Sequence, residues 1–228
     1  MIIEKLFLFF DQNIHQKRII RFLQNKSIKT VIDVGAHKGE FTQNALQIKS
    51  VNKIISFEPQ KKIFKILKEK FMSNDKIILS NLALSERVEK KMMKINKMTN
   101  MSTLNHEINN DSLYLKFRNF LLHQKNSIIP EEEVETTTLD IFFEQKKIDQ
   151  NTLLKIDVEG YELKVLKGYT QKIREIKYVL IENQFSNMYK GIDFEDCHKF
   201  LENKNFRLLK KFRAPTFHYE DRLYVNEQ

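Results

Sequence analysis

Apolar stretches rich in β-branched residues alternate with helical patterns through the first half of the chain. Short runs at residues 30–34, 54–57 and 77–79 predict buried strands, because few polar residues interrupt them. Helical spacing of apolar residues predicts helices between them, near residues 40–48 and 63–71. This alternation is typical of parallel strands joined by helical crossovers.

The same alternation resumes in the second half of the chain. Its predicted elements are strands at residues 153–156, 178–181, 206–212 and 222–225, and helices at 163–169 and 194–202. The last two strands are close enough in sequence to pair antiparallel. We therefore expect an α/β fold with a doubly wound, mostly parallel sheet.

Two segments depart from this pattern. Residues 97–133 contain a polar stretch, a helical pattern around residues 113–121 and an acidic turn after Pro130, which together predict a lid-like insertion. Apolar residues from Ile3 to Ile14 recur at helical spacing and predict an N-terminal helix over about residues 1–25 that docks on the domain. No internal repeat or linker divides the chain, so we expect one domain over residues 1–228.

Charge and cysteine content narrow the functional classes. The chain has 39 basic and 30 acidic residues, a net charge of +9, which alone is compatible with a nucleic acid or an anionic surface as partner. The lysines are scattered through every segment, however, and form no predicted binding stripe. Cys197 is the single cysteine, which excludes an intramolecular disulfide and favours a cytoplasmic protein.

Candidate ligand-binding residues lie where the first predicted strand turns into a helix. Asp33, Gly35 and Gly39 occupy this turn, and glycines allow the backbone to approach a ligand closely. The next strand ends about 20 residues further on at Glu58, whose carboxylate can accept hydrogen bonds from two ribose hydroxyls. This pair of features predicts a nucleoside site, although the turn by itself is also compatible with a purely structural role.

The glycine spacing distinguishes between nucleosides. A dinucleotide fingerprint needs three glycines as G-x-G-x-x-G, and the middle one is missing between Gly35 and Gly39. Asp33 adds a negative charge, which repels a pyrophosphate and attracts a sulfonium or an ammonium group. S-adenosylmethionine is therefore the predicted cofactor, and an oxidoreductase is disfavoured.

A second group of carboxylates follows the strand predicted at residues 153–156. Acidic residues are common near helix N-termini, where they complement the helix dipole. The presence of Glu159 and Glu162 therefore does not by itself indicate a functional role. Asp157 instead ends an apolar strand that we expect to lie beside the first strand. Its carboxylate is therefore predicted to face the same crevice as Asp33.

Five motifs together resemble the FkbM-type family of class I S-adenosylmethionine-dependent methyltransferases, over roughly residues 30–225. The motifs are Asp33-Val-Gly-Ala-His-Lys-Gly39, Phe57-Glu-Pro59, Asn81-Leu-Ala-Leu-Ser85, Thr137-Thr-Leu-Asp140 and Leu154-Lys-Ile-Asp-Val-Glu-Gly-Tyr-Glu162. The resemblance implies a Rossmann-like, seven-stranded sheet with its last strand inserted antiparallel. It also implies O-methylation of small molecules or sugars as the commonest activity.

The resemblance further implies a set of cofactor-binding residues. By position, these are Asp33, Gly35 and Gly39 at the methionine end of the donor, Glu58 at the ribose, and Asn81, Leu82 and Ala83 along the adenine edge. Ala36, His37 and Asp157 complete the expected set.

The expected catalytic residues are Asp157, Glu159 and Glu182. An alcohol is a poor nucleophile unless its proton is removed as the new bond forms, so a carboxylate near the methyl group is expected. We assign Asp157 as this base and the two glutamates as groups that orient the acceptor. The same carboxylates are hard ligands that suit a divalent cation, but their spacing does not require one, and we expect no metal.

Alternative functions remain open at this point. An RNA methyltransferase would use basic and aromatic residues, such as Lys116, Phe117, Arg118 and Phe120 of the insertion, to stack unpaired bases. A noncatalytic nucleoside-binding module on the same fold is a second alternative. A small-molecule or glycan acceptor is the favoured partner and nucleic acid is not. The sequence leaves open the acceptor, the choice between O- and N-methylation, the need for a metal, the identity of the general base and the oligomeric state.

Overall fold

The computed structural model describes residues 14–96, 102–107, 109, 111–112, 131–185, 189, 194–215 and 219–227. In chain order the strands are β1 Thr30–Val34, β2 Lys53–Phe57, β3 Ile77–Ser80, β4 Ala83–Leu84, β5 Lys90–Lys94, β6 Glu131–Thr137, β7 Thr152–Ile156, β8 Tyr178–Gln184, β9 Phe206–Arg213 and β10 Tyr219–Asn226. The α-helices are α1 Gln16–Leu23, α2 Glu40–Ala45, α3 Lys61–Phe71, α4 Leu139–Phe142, α5 Glu162–Lys167 and α6 Phe194–Glu202.

Seven strands form the main sheet, in the order β3-β2-β1-β7-β8-β10-β9. Strands β3, β2, β1, β7 and β8 run parallel, and β10 is inserted antiparallel between β8 and β9. This arrangement confirms the predicted doubly wound α/β fold and its antiparallel last strand. Strand β1 lies between β2 and β7, so the residues that follow these three strands meet at one edge of the sheet.

Both faces of the main sheet are covered, which is why its central strands read as continuous apolar runs. On one face, Val31 and Leu153 pack with residues of α1 and α2. On the other, Ile32 and Leu154 pack with residues of α5 and α6. Helix α1 buries Ile19, Ile20 and Leu23, so this part of the predicted N-terminal helix docks as expected.

A second, three-stranded sheet has the order β4-β6-β5. The acidic turn predicted after Pro130 was wrong, because residues 131–133 begin strand β6. This acidic run pairs antiparallel with the lysine-rich strand β5, where Lys90 Nζ lies 2.9 Å from Glu133 Oε1. Strand pairing and opposite charges across the ladder favour the extended form over a turn.

Several predictions cannot be compared with the structure. Residues 1–13 of the predicted N-terminal helix and the helical pattern at 113–121 lie outside the described residues. Among the helices that are described, none is long and apolar enough to cross a membrane.

Candidate functional site

A pocket opens at the carboxyl ends of β1, β2 and β7, the edge at which parallel α/β sheets bind ligands. Of the predicted cofactor residues, Gly35, His37, Glu58, Leu82, Ala83 and Asp157 line it. Glu159, one of the predicted catalytic residues, lines it as well. Leu104 and Met93 contribute apolar lining, and of these two the sequence did not indicate Met93.

Gly35 occupies the tightest point of the loop after β1. Its φ of +80° favours glycine, and a Cβ at this position would lie 1.9 Å from the carbonyl oxygen of Asp157. The backbone N–H groups of Gly35 and Ala36 both donate to the carbonyl oxygen of Phe57, at 3.1 and 2.9 Å. The absence of a side chain therefore lets this loop contact the ends of both neighbouring strands.

Replacing Gly35 with alanine is expected to lower the free energy of unfolding by about 2 kcal/mol or more, because it adds backbone strain to a steric clash. Urea denaturation followed by circular dichroism measures this loss. The control is Gly168→Ala, whose Cβ would lie 2.0 Å from the carbonyl oxygen of Ser85, a residue outside the pocket lining. Gly168→Ala should lose stability but keep the wild-type affinity for S-adenosylhomocysteine. Unchanged stability in Gly35→Ala would contradict the role assigned to Gly35.

Glu58 connects the loop after β1 to the loop after β2 at one side of the pocket. Glu58 is only 3% exposed. Oε2 accepts from the backbone N–H of His37 at 2.9 Å, and Oε1 accepts from that of Gln60 at 2.8 Å. Burial raises the pKa of Glu58 to about 7, although both backbone donors oppose the shift. Each oxygen keeps a lone pair that can accept from a ligand hydroxyl, so this carboxylate fits a ribose.

Three other predicted cofactor residues lie outside the lining and support it from behind. Asn81 donates from Nδ2 to the carbonyl oxygens of Glu58 and Pro59, at 2.8 and 2.9 Å. Ala36 is buried within the loop after β1. Gly39 is the N-cap residue of α2, and a Cβ there would collide with the side chains of α3.

Asp33 lies beneath the loop after β1 and not in the pocket. Its side chain is fully buried, with Oδ2 accepting from Thr42 Oγ1 at 2.7 Å. Lys155 Nζ lies 3.2 Å from Asp33 Oδ1 and 3.3 Å from Asp157 Oδ2. Burial lowers the pKa of Lys155, but the charges of Asp157 and Asp33 outweigh this effect and hold the pKa above its usual range.

Sequence reasoning assigned no role to Lys155, although a signal was present. It is the single charged residue in the buried strand β7, and a buried charge is costly unless it is paired. That requirement pointed to carboxylates nearby without saying which ones they are.

The three predicted catalytic carboxylates come together beside the pocket. One carboxylate oxygen from each of Asp157, Glu159 and Glu182 lies within 4.8 Å of the others. Gln184 Nε2 donates to Glu159 Oε2 at 2.8 Å and to Glu182 Oε1 at 2.7 Å, and Tyr189 OH donates to the same Glu159 oxygen at 3.0 Å. The amide of Gln184 thus bridges the two glutamates.

Burial raises the pKa values of the two glutamates in this cluster. Burial, aided by the charge of Asp157, raises the pKa of Glu159 to about 8. Burial and the charges of Asp157, Glu159 and Asp221 also raise the pKa of Glu182 well above its ordinary value. The two glutamates therefore tend to hold protons at neutral pH. The side chain of Asp157 is 36% exposed and has Lys155 as its cationic partner.

Residues 102–107 lie against the pocket, and Ser102 and Leu104 belong to its lining. Ser102 Oγ donates to Gln60 Oε1 at 3.2 Å, and Thr103 Oγ1 donates to the carbonyl oxygen of Glu159 at 2.6 Å. The backbone of Thr103 also pairs with Lys94 of β5. This segment joins the side of the pocket near Gln60 to the side that carries the carboxylates.

The fold is shared with methyltransferases of known structure. TrmK of M. capricolum, solved with S-adenosylhomocysteine, has a TM-score of 0.52 at 11% identity, over 93% of this chain and 68% of that one. A putative tRNA (m1A22) methyltransferase of Streptococcus pneumoniae, solved with S-adenosylmethionine, also has a TM-score of 0.52, at 9% identity over 92% and 73%. The fold is that of class I methyltransferases.

Sequence comparison identifies the family within that class. The model of the methyltransferase FkbM domain matches residues 33–208, more than half of the chain. The chain therefore belongs to the FkbM-type family of S-adenosylmethionine-dependent methyltransferases. The hexuronic acid methyltransferase AglP of Haloferax volcanii is 32% identical over 68 residues, which are 30% of this chain and only 26% of that relative.

Proposed function

We propose that this methyltransferase modifies a hydroxyl oxygen of a small-molecule or sugar acceptor. The observation that carries the proposal is the cluster of Asp157, Glu159 and Glu182 at the edge of the pocket. A hydroxyl acceptor needs a group that removes its proton, and a carboxylate in this position is suited to that role. The partial similarity to a hexuronic acid methyltransferase supports a sugar acceptor.

The donor is proposed to lie along the pocket from the second sheet to the loop after β1. Glu58 accepts hydrogen bonds from the ribose hydroxyls, and Leu82 and Ala83 pack against the adenine. Gly35 and His37 face the methionine end, while Asp33, Ala36, Gly39 and Asn81 support the loops from outside the lining. When bound, S-adenosylmethionine supplies a methyl group on a positively charged sulfur.

Asp157 is proposed to accept the acceptor's hydroxyl proton on its carboxylate. It lines the pocket and is the most suitable of the three, because burial and neighbouring charge disfavour the ionised forms of Glu159 and Glu182. These two glutamates are proposed to orient the acceptor by hydrogen bonds. Gln184 and Tyr189 fix the carboxylate of Glu159 in place.

We propose that this cluster works without a metal ion. Glu159 Oε2 already accepts from Gln184 and Tyr189, and Glu182 Oε1 accepts from the same amide group. A cation bound to Glu159 Oε2 would have to displace one of its two donors, because both lone pairs of that oxygen are in use. Protons on the glutamates are compatible with the hydrogen bonds that the cluster already makes.

The remaining parts of the proposal concern the whole chain. We propose one domain over residues 1–228, with residues 97–133 as a lid and a helix near residues 1–25. Cys197 is buried and is the single cysteine, so the chain requires no oxidising compartment, and a cytoplasmic location is part of the proposal.

Incubation with methyl-labelled S-adenosylmethionine and separate acceptor pools tests the function. We expect label in a pool of sugars and glycans and no label in a pool of transfer RNA. The rate of labelling should be the same with EDTA as with added Mg²⁺. The inactive control is the Asp157→Asn variant. Label in RNA alone would replace the proposal by RNA methylation, and no transfer to any pool by a protein that binds the donor would favour the noncatalytic module.

A further inference from the structure

Lys155 is a buried cation between two carboxylates that belong to different parts of the site. It lies opposite Asp33 in the β1–β7 ladder and two residues before Asp157 in the chain. Its residue is 6% exposed, and Nζ also lies 3.4 Å from the carbonyl oxygen of Gly35. One lysine thus connects the base, the loop after β1 and the buried aspartate beneath that loop.

The local charge balance depends on this lysine. Asp33 and Asp157 contribute two negative charges and Lys155 one positive charge, which leaves one negative charge at this edge of the pocket. Replacing Lys155 with an uncharged residue would leave two. Glu159 and Glu162 also face this region. Burial raises the pKa of Glu162 to about 7 and that of Glu159 to about 8, and the charge of Asp157 adds to both shifts. A further negative charge here is therefore unfavourable.

Excess negative charge would affect the donor and its product differently. S-adenosylmethionine carries one more positive charge than S-adenosylhomocysteine, so a more negative pocket binds the donor more tightly than the product. The attraction is strongest before the methyl group has moved, so it stabilises the bound donor more than the transition state. A cation that offsets the carboxylates reduces this unproductive preference.

We propose that Lys155 determines the donor-to-product preference of the pocket by offsetting the charges of Asp33 and Asp157. The inference rests on S-adenosylmethionine as the donor in the proposed function. It differs from a direct contact between Lys155 and the carboxylate of the donor. Such a contact would serve donor and product equally, because both carry that carboxylate.

Isothermal titration of purified protein with S-adenosylmethionine and with S-adenosylhomocysteine tests the inference. The measured quantity is the ratio of the Kd of the product to the Kd of the donor. We expect Lys155→Met to raise this ratio at least fivefold and Asp33→Asn to lower it. The double variant Lys155→Met/Asp33→Asn should return it to the wild-type value, because the net charge is restored. Lys155→Arg, which keeps the charge, should leave the ratio unchanged.

The matched control is Lys172→Met. Lys172 Nζ donates to the carbonyl oxygens of Glu144 and Lys146, at 3.1 and 3.4 Å, away from the pocket. Its loss should lower stability and leave the ratio unchanged. If Lys155→Met fails to fold, the comparison of Asp33→Asn with the double variant still measures the removal of the lysine charge.

An unchanged ratio in folded variants would overturn the inference and leave Lys155 with a structural role. Equal weakening of both ligands would overturn it in favour of direct contact with the donor's carboxylate. Failure of the proposed function is distinguishable, because the folded wild-type protein would then bind neither ligand, or would bind both without transferring a methyl group to any acceptor.

Discussion

Asp157→Asn is expected to lower kcat for methyl transfer at least a hundredfold while changing the Kd for S-adenosylhomocysteine by less than about threefold. Removal of a positioned general base costs roughly 10²–10⁴-fold in rate. Asparagine keeps the shape of the side chain but cannot accept the hydroxyl proton. Initial rates with the acceptor identified from the labelled pools, together with calorimetric titration of the product, measure the two effects separately.

The matched control for this substitution is Asp149→Asn. Asp149 precedes the opposite end of β7, where its Oδ1 accepts from the backbone N–H of Asn151 at 2.8 Å. It should therefore retain wild-type kcat. A wild-type rate in Asp157→Asn would remove the base assignment from Asp157, and the Glu159→Gln and Glu182→Gln variants would then be compared.

Glu58→Gln should raise the Kd for S-adenosylhomocysteine at least tenfold, which corresponds to about 1.4 kcal/mol. The amide has one acceptor oxygen where the carboxylate has two, so one of the backbone donors, that of His37 or of Gln60, loses its partner. The same change weakens the hydrogen bonds offered to the ribose. Calorimetric titration measures this loss, and NAD titrated in parallel should not bind.

The affinity should also depend on pH through Glu58. Its pKa of about 7 implies that the carboxylate takes up a proton as the pH falls below 7, which removes acceptors for the ribose hydroxyls. The Kd for S-adenosylhomocysteine should therefore rise between pH 8 and 6 in the wild type, and the rise should be smaller in Glu58→Gln.

Stability should change with pH in the opposite direction. The folded state holds the Glu58 proton more tightly than the unfolded chain, whose ordinary pKa is 4.5. The contribution of this group to the free energy of unfolding therefore falls as the pH rises from 4.5 to about 7. Glu58→Gln should reduce that slope in urea denaturation measured across this range.

The control for Glu58 is Glu132→Gln. Glu132 Oε1 accepts from the backbone N–H of Lys61 at 3.1 Å, so this variant also replaces a carboxylate that accepts from the backbone. It lies outside the pocket lining and should leave the Kd and its pH dependence unchanged. Equal affinities of Glu58→Gln and the wild type would exclude Glu58 as the ribose ligand.

The fold was accessible from the sequence because the sheet is buried on both faces. Strands such as β1 and β7 must be apolar on both sides, and their short β-branched runs between helical patterns leave few alternatives. The start of strand β6 was missed because its acidic residues 131–133 pair with residues 92–94 of β5, about 40 positions earlier in the chain. Local sequence does not contain that long-range pairing.

The direction of each side chain could not be predicted in the same way. Successive side chains of a strand point to opposite faces, so Asp33 faces the same side of the sheet as Val31 and lies under the loop. The spacing to Glu58 predicted that both carboxylates belong to one site, but it did not distinguish Glu58, which lines the pocket, from Asp33, which supports the lining.

The sequence by itself determined the class of fold, the family and the residue types that meet at the carboxyl edge of the sheet, because these follow from periodicity and local motifs. The tertiary structure decided which charges pair. The register of β1 against β7 places Lys155 opposite Asp33, and the end of β8 brings Glu182 to Asp157 and Glu159. Such contacts depend on strand order and register, which are set by the packing of the whole sheet and not by any one segment.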